Sequence, residues 1–271
     1  MLLSAVVARN AGEAWLAPAA VLRRALSRSP RGLFIDIDGT LSAFADTPEQ
    51  ATVSSTCREA LVRLTGLLDL VCLLTGRPAD DAWRLVGVDD AVYVGNHGAE
   101  RWYRGELLRP PGIERYQGRI ARASATLRGL LASTPSITFE EKGIGFAIHY
   151  RRDPSVGPAV LDAAVRVGRR SGLQVLERTA HVEVRAPVDT DKGAALREIA
   201  SRHGLAGLAV MGDDPVDAPA FAAARSYATT SGADLAVVTV GDRLRGSGDI
   251  ALDDPADTCR LLDALARELD R

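Results

Sequence analysis

The chain has 271 residues, 46% hydrophobic and 25% charged, with 33 basic against 35 acidic side chains. It is long enough for one large or two modest domains, and its composition is that of a soluble globular protein. A formal charge of −2 argues against a nucleic-acid-binding surface as the main function, while leaving small anionic substrates open.

Met1 to Ala8 is apolar but lacks a basic flank, and Arg9 to Glu13 interrupts it far short of a membrane span. Leu16 to Leu26 has helical apolar spacing with Arg23, Arg24 and Arg28 outside, so residues 1–29 are expected to form an N-terminal helical extension without a targeting role. Cys57, Cys72 and Cys259 are few, odd in number and far apart, without zinc-type spacing. Cys72 sits in an apolar run, a core thiol in a reducing compartment, and the chain is expected to be cytoplasmic with no membrane partner.

Leu33-Phe34-Ile35 reads as a buried strand running into Asp36-Ile37-Asp38-Gly39-Thr40. In extended chain Asp36 and Asp38 share a face, so two anions lie together and call for a cation. Mg²⁺ is the hard cation usually held by carboxylates plus phosphate oxygens. A loop over Ser42 to Thr52 with Pro48 follows, then a helical pattern through Cys57, Leu61, Leu64 and Leu68. Leu70 to Leu74 is a second buried strand ending in Thr75-Gly76-Arg77-Pro78, and Ala91 to Val94 a third, ending in Asn96-His97-Gly98-Ala99-Glu100. Strand, helix, strand in this rhythm predicts βαβ units and a parallel sheet, whose ligands gather beyond the carboxyl ends of the strands.

At Arg109-Pro110-Pro111-Gly112 the rhythm breaks. Ile113 to Ala132 is helical, Ser136 to Lys142 and Gly145 to Arg151 read as strands around a turn, and a helix over Gly157 to Gly172 precedes one or two strands in Leu173 to Arg185. This predicts a separate α+β insert at 110–186. The rhythm resumes with a helix opened by Asp191-Lys192-Gly193 and a strand Leu208 to Met211 ending in Gly212-Asp213-Asp214, with Asp217 close behind. A further strand over Ala236 to Val240 and an amphipathic helix over Asp257 to Leu269 close the chain. Several carboxylates converging from separate strands would repel one another unless a divalent cation neutralised them, and a hydroxyl and a lysine beside them suit a phosphoryl group.

Asp-x-Asp-Gly-Thr, Thr-Gly-Arg, Lys192 and Gly-Asp-Asp, in this order, resemble the four motifs of the haloacid dehalogenase phosphatase superfamily. The resemblance implies a Rossmann-like parallel-sheet α/β core of residues 30–109 and 187–271 with an inserted α+β cap domain. It implies Asp36 as nucleophile, forming an aspartyl phosphate, and Asp38 as the acid that protonates the leaving oxygen and then the base that activates water. Asp36, the Asp38 carbonyl and Asp213 would hold Mg²⁺, with Asp214 beside them or, like Asp217, one layer further out. Thr75 and Lys192 would hold the phosphoryl oxygens.

Beyond the shared motifs, the Asn96 to Glu100 turn is similar to one in trehalose-6-phosphate phosphatases. So are Glu140-Glu141-Lys142-Gly143 with His149-Tyr150-Arg151, Val182-Glu183-Val184-Arg185 with Asp191-Lys192-Gly193, and Gly212-Asp213-Asp214 with Asp217 and Phe221. That resemblance implies trehalose 6-phosphate as substrate, bound by Gly76, Arg77, Asn96, His97, Glu140, Lys142, Arg151 and Glu183, with the cap closing to exclude water. The chain departs from the family in having Val216 and Ala218 around Asp217, Ala186 where Pro is usual, and Thr75 for Ser. Two rivals follow: a phosphatase of another sugar phosphate, such as glucosylglycerol phosphate, or a catalytically weak domain that binds sugar phosphate for regulation or partners a trehalose-phosphate synthase.

Overall fold

A computed structural model describes residues 15–45, 50–178 and 180–271. The chain divides into two compact units, residues 1–108 with 190–271, and residues 109–189. Pro48 and the Met1 to Glu13 stretch lie outside the described residues.

The first unit is built on an eight-stranded sheet. Its strands are β1 (Arg31–Ile35), β2 (Leu70–Leu74), β3 (Val92–Gly95), β4 (Glu100–Tyr103), β5 (Glu106–Leu108), β10 (Gly207–Gly212), β11 (Asp234–Val240) and β12 (Ile250–Leu252). They lie in the order β12-β11-β10-β1-β2-β3-β4-β5. All pairs from β12 to β3 are parallel, whereas β3–β4 and β4–β5 are antiparallel.

Alternation along the strands explains why both faces are covered. Leu33, Ile35, Val71, Leu73, Ala209 and Met211 point to one face, where α1 (Leu16–Ala25), α2 (Ser55–Leu67), α3 (Ala79–Val86) and α8 (Pro255–Leu269) pack. Phe34, Cys72, Leu208 and Val210 point to the other, under α6 (Lys192–His203) and α7 (Ala218–Ser231). Burying each large apolar side chain contributes about 1.5–3 kcal/mol relative to leaving it exposed. Helix α1 belongs to this core, because Ala19 and Leu22 are fully buried on it. Its remaining face carries the exposed Arg23 and Arg24, as the apolar spacing predicts. No helix among the described residues is long and apolar enough to cross a membrane.

The parallel sheet is as expected, and an antiparallel edge of two strands is added to it. Arg104 and Gly105 both take positive φ, 49° and 89°, to form the tight turn between β4 and β5. Arg-Gly is not the Asn-Gly or Asp-Gly pair that advertises such a turn, so the hairpin was not legible. Trp102 on β4 stacks on Trp83 with ring centroids 4.5 Å apart and meets Tyr93 edge-on at 5.6 Å. Helix α7 and strand β12 are likewise additions; α7 is rich in small residues with no clear apolar stripe, and β12 is three residues long.

The second unit is an antiparallel sheet, β6 (Thr138–Glu141), β7 (Gly145–His149), β9 (His181–Arg185) and β8 (Gln174–Arg178) in that order, with α4 (Glu114–Leu130) and α5 (Gly157–Ser171). Phe146, Ile148, Val182 and Val184 lie on one sheet face, and α4 and α5 supply buried Ile120, Leu127, Val160 and Ala164. The registers Glu140↔Ala147↔Glu183 and His149↔His181 put Glu140, Glu183 and both histidines on the opposite face.

Candidate active site

The strand order places the site. β1 is followed in the chain by β2 on one side and has β10 on the other, so the sheet's winding reverses beside β1. At such a point the loops beyond the carboxyl ends diverge and leave a crevice. Asp36 follows β1, Thr75 follows β2, Asn96 follows β3 and Asp213 follows β10. β1 and β10 run in register, Ile35 opposite Met211, and the Asp36 N–H donates to the Met211 carbonyl at 3.0 Å. Asp36 and Asp213 are therefore delivered side by side.

Asp36, Asp213 and Asp217 are all buried, and each offers a carboxylate oxygen within 4.8 Å of the other two. Lys192, 2% exposed, donates to Asp36 Oδ1 at 2.5 Å and Asp217 Oδ1 at 2.6 Å. It is the first residue of α6, whose cap is Asp191, accepting from the Ala194 N–H at 2.7 Å. The other Asp217 oxygen accepts from the backbone N–H groups of Asp213 and Asp214, both at 3.1 Å. Asp217 thus ties the lysine to the β10 tip.

Charge balance is the site's main property. Burial raises the Asp36 carboxyl well above the ordinary range, Lys192 opposes that, and Asp217 and Asp213 add to it. Burial, then Asp217, pushes Asp213 up to about 7. Burial pulls the Lys192 ammonium down, but Asp217 and Asp36 outweigh it and raise it above the usual lysine value. Fully ionised, three carboxylates and one ammonium would leave two negative charges uncompensated in a buried site, which a divalent cation matches. A set of carboxylate oxygens is also the donor chemistry a hard cation takes.

Two glycines make the approach possible. Gly39 has φ +94°, and a Cβ there would collide with the Asp213 carboxylate. A Cβ at Gly76 would fall 2.7 Å from Cε1 of the His97 imidazole, so the Thr-Gly-Arg tip and the Asn-His-Gly turn require each other. The two are joined by the His97 N–H to the Thr75 carbonyl at 2.9 Å and the Asn96 N–H to the Arg77 carbonyl at 2.7 Å. Asn96 and His97 are left-handed, with φ of 50° and 56°. Thr75, buried, accepts the Arg77 N–H on Oγ1 at 3.1 Å, which leaves its own hydroxyl proton to donate.

Asp38 is gripped by Arg77 through two bonds of 2.7 Å, and its carboxylate is not part of the buried triad. Asp214 also lies outside the triad: it caps the short turn after β10, accepting the Val216 N–H at 3.1 Å, and pairs with Arg243. In the second unit, Lys142 donates to Glu183 at 2.9 Å with both side chains buried, and Glu140 meets His149 at 2.7 Å. Arg151 is exposed in the turn after β7, and Tyr150 beside it is buried.

Three contributors carried no role in the sequence reading. Thr40 is fully buried and donates to Asp213 Oδ1 at 3.2 Å; its place at the end of Asp-x-Asp-Gly-Thr was the available signal. Glu100, also buried, accepts the Ala79 N–H at 2.8 Å and so seats the start of α3. Arg243 had no signal, being far along the chain in a loop of ordinary composition.

The family model described as trehalose-phosphatase matches residues 34–255. The trehalose-phosphate phosphatase of Mycolicibacterium paratuberculosis is 33% identical over 253 residues, covering 88% of this chain and 63% of that protein. The chain thus spans less than two thirds of the length of this curated relative. Among solved structures, a trehalose-6-phosphate phosphatase related protein superposes with a TM-score of 0.74 at 21% identity, covering 88% of this chain and 97% of the other. The C-terminal domain of the Candida albicans trehalose-6-phosphate phosphatase gives 0.74 at 18% identity, with 92% and 96% covered.

Proposed function

The chain belongs to the trehalose-phosphatase family, and from that premise we propose that it hydrolyses trehalose 6-phosphate to trehalose and phosphate. The observation that carries the reading is Lys192 bridging Asp36 and Asp217 with Asp213 in reach, all buried at the carboxyl ends of adjacent strands. Asp36 and Asp213, with the Asp38 carbonyl, would hold Mg²⁺, and Asp217, engaged by Lys192 and two backbone N–H groups, would stand one layer further out. Bound there, the ion would offset carboxylate charge and draw electron density from the phosphoryl oxygens.

Asp36 attacks phosphorus while the bond from phosphorus to the sugar oxygen breaks, leaving an aspartyl phosphate and freeing the sugar. Asp38 delivers a proton to the departing oxygen, for which its carboxyl must leave the Arg77 grip. Water then attacks phosphorus, Asp38 takes the water's proton, and Asp36 is released as carboxylate. Thr75 supplies its hydroxyl proton and Lys192 its ammonium to the phosphoryl oxygens, where charge accumulates. Glu140, Lys142, Arg151 and Glu183 are proposed to recognise sugar hydroxyls, and Gly76, Arg77, Asn96 and His97 to line the phosphate end.

Phosphate release across trehalose 6-phosphate, glucose 6-phosphate and glucosylglycerol phosphate, with and without Mg²⁺, tests the reading. Preference for the trehalose ester by kcat/KM supports it. Preference for another ester transfers the assignment to that substrate, and binding without turnover would replace it with the non-catalytic alternative.

A further inference from the structure

The helical side of the second unit carries a concentration of positive charge at odds with the chain as a whole. The formal charge of the full sequence is −2, yet α4 and α5 together hold seven arginines and two carboxylates. Arg128 and Arg166 are each matched to an acid, Glu141 and Asp162. Arg119, Arg122, Arg169 and Arg170 have no carboxylate partner among the described residues. These four, with Ser171 and Gly172, line one open concavity of about 570 Å³.

A solvated helix face does not account for this arrangement. Arg169 and Arg170 fall in the last turn of α5, where positive charge is favoured by the helix dipole. Arg119 and Arg122 gain nothing comparable. They sit mid-helix at a spacing of three, with Arg115 a further four residues before, and like charges so placed repel along a helix face. Arg119 is partly steadied at 5.4 Å from the Tyr116 ring. Four guanidiniums from two helices border one concavity, where an anion would offset their mutual repulsion. Each offers planar paired donors that match phosphoryl oxygens.

We propose that the concavity between α4 and α5 binds a small molecule bearing several phosphoryl groups, a polyphosphate or nucleoside polyphosphate, through Arg119, Arg122, Arg169 and Arg170. Several linked anions are required because one phosphate leaves most of the four cations unmatched. A small molecule fits better than a nucleic acid strand, since the cations cluster in a concavity of ligand size. The site lies wholly within the second unit and does not depend on the reading of the carboxylate cluster.

Calorimetric titration of the full chain with inorganic tripolyphosphate and with ATP, in Mg²⁺-free buffer, tests the proposal. Wild type should bind tripolyphosphate, less tightly as salt is raised, and the Arg119→Gln/Arg169→Gln variant should bind it about tenfold more weakly or worse. Both side chains are exposed, and unchanged circular dichroism melting of the variant will exclude misfolding. Equal binding of the two probes assigns recognition to the phosphate chain, and tighter ATP binding adds a contact to the nucleoside; either supports the site. Three results overturn it: no binding by wild type, equal binding by the variant, or tighter binding of duplex DNA than of either probe.

Discussion

Arg77 holds Asp38 by two parallel hydrogen bonds, Nε to Oδ2 and Nη2 to Oδ1, each 2.7 Å long. The fork fixes the carboxylate proposed as the acid in a position that a phosphoryl group would compete for, since the same guanidinium suits phosphate oxygens. An acid matters most when the leaving group is a poor one. Asp38→Asn should therefore lower kcat/KM for trehalose 6-phosphate by about 10²- to 10⁴-fold, and much less for p-nitrophenyl phosphate, whose phenolate leaves unaided. Comparable losses on both substrates would assign Asp38 a structural role.

Lys192 is the only cation shown bonded to the buried triad among the described residues. Replacing it with Met leaves Asp36 and Asp217 buried without a counter-charge, a change that costs about 3–5 kcal/mol. The metal-free melting temperature of Lys192→Met should fall by roughly 10 °C. Added Mg²⁺ should recover part of that loss, because it binds only the folded cluster. A melting temperature equal to wild type in EDTA would show that the lysine does not balance the cluster.

The triad also sets a pH dependence. Asp213 is pushed up to about 7, against an ordinary carboxyl near 3.8. Between those values the folded state holds a proton that the unfolded state has lost, so stability falls as pH rises, and the loss is complete above about 7. Asp36, also raised, acts in the same direction. The urea midpoint in EDTA should decrease from pH 5 to pH 8, and Asp213→Asn should flatten the slope. Mg²⁺ should flatten it in the native chain by favouring the ionised carboxylates. A midpoint that rises over this range, with an unchanged slope in Asp213→Asn, would contradict the charge balance.

In the second unit, Lys142 and Glu183 form a buried pair at 2.9 Å. Glu183→Ala removes the buried counter-charge beside Lys142 and should cost about 3–5 kcal/mol, while Lys142→Met/Glu183→Leu should recover most of it. If the pair also reads sugar hydroxyls, the double variant will lose kcat/KM for trehalose 6-phosphate while keeping p-nitrophenyl phosphate turnover. Equal losses on both substrates would remove Glu183 and Lys142 from the specificity reading.

The core strands were legible because buried parallel strands are apolar runs, and each ended in a polar tip that broke the run. Asp36 and Asp213 could be grouped from sequence for that reason. Whether Asp214 or Asp217 would join Asp36 and Asp213 was not legible. Asp213, Asp214 and Asp217 lie within five residues, and the choice depends on a turn in which Asp214 caps Val216 while Asp217 folds back onto the β10 tip. Nor could the sequence distinguish Glu183 and Lys142 as solvated charges from a buried pair: Glu183 alternates with Val182 and Val184 as a surface residue would, and Lys142 sits in the turn after β6. The Arg77–Asp38 fork joins residues 39 apart in the chain and has no local pattern at all.

The most direct test is phosphate release from trehalose 6-phosphate by wild type and by Asp36→Asn, in saturating Mg²⁺ and at matched folded concentration. Asparagine preserves the shape of the side chain but cannot form the acyl phosphate, so the account predicts rapid release by wild type and none above background by the variant. Turnover by Asp36→Asn at the wild-type rate would contradict it.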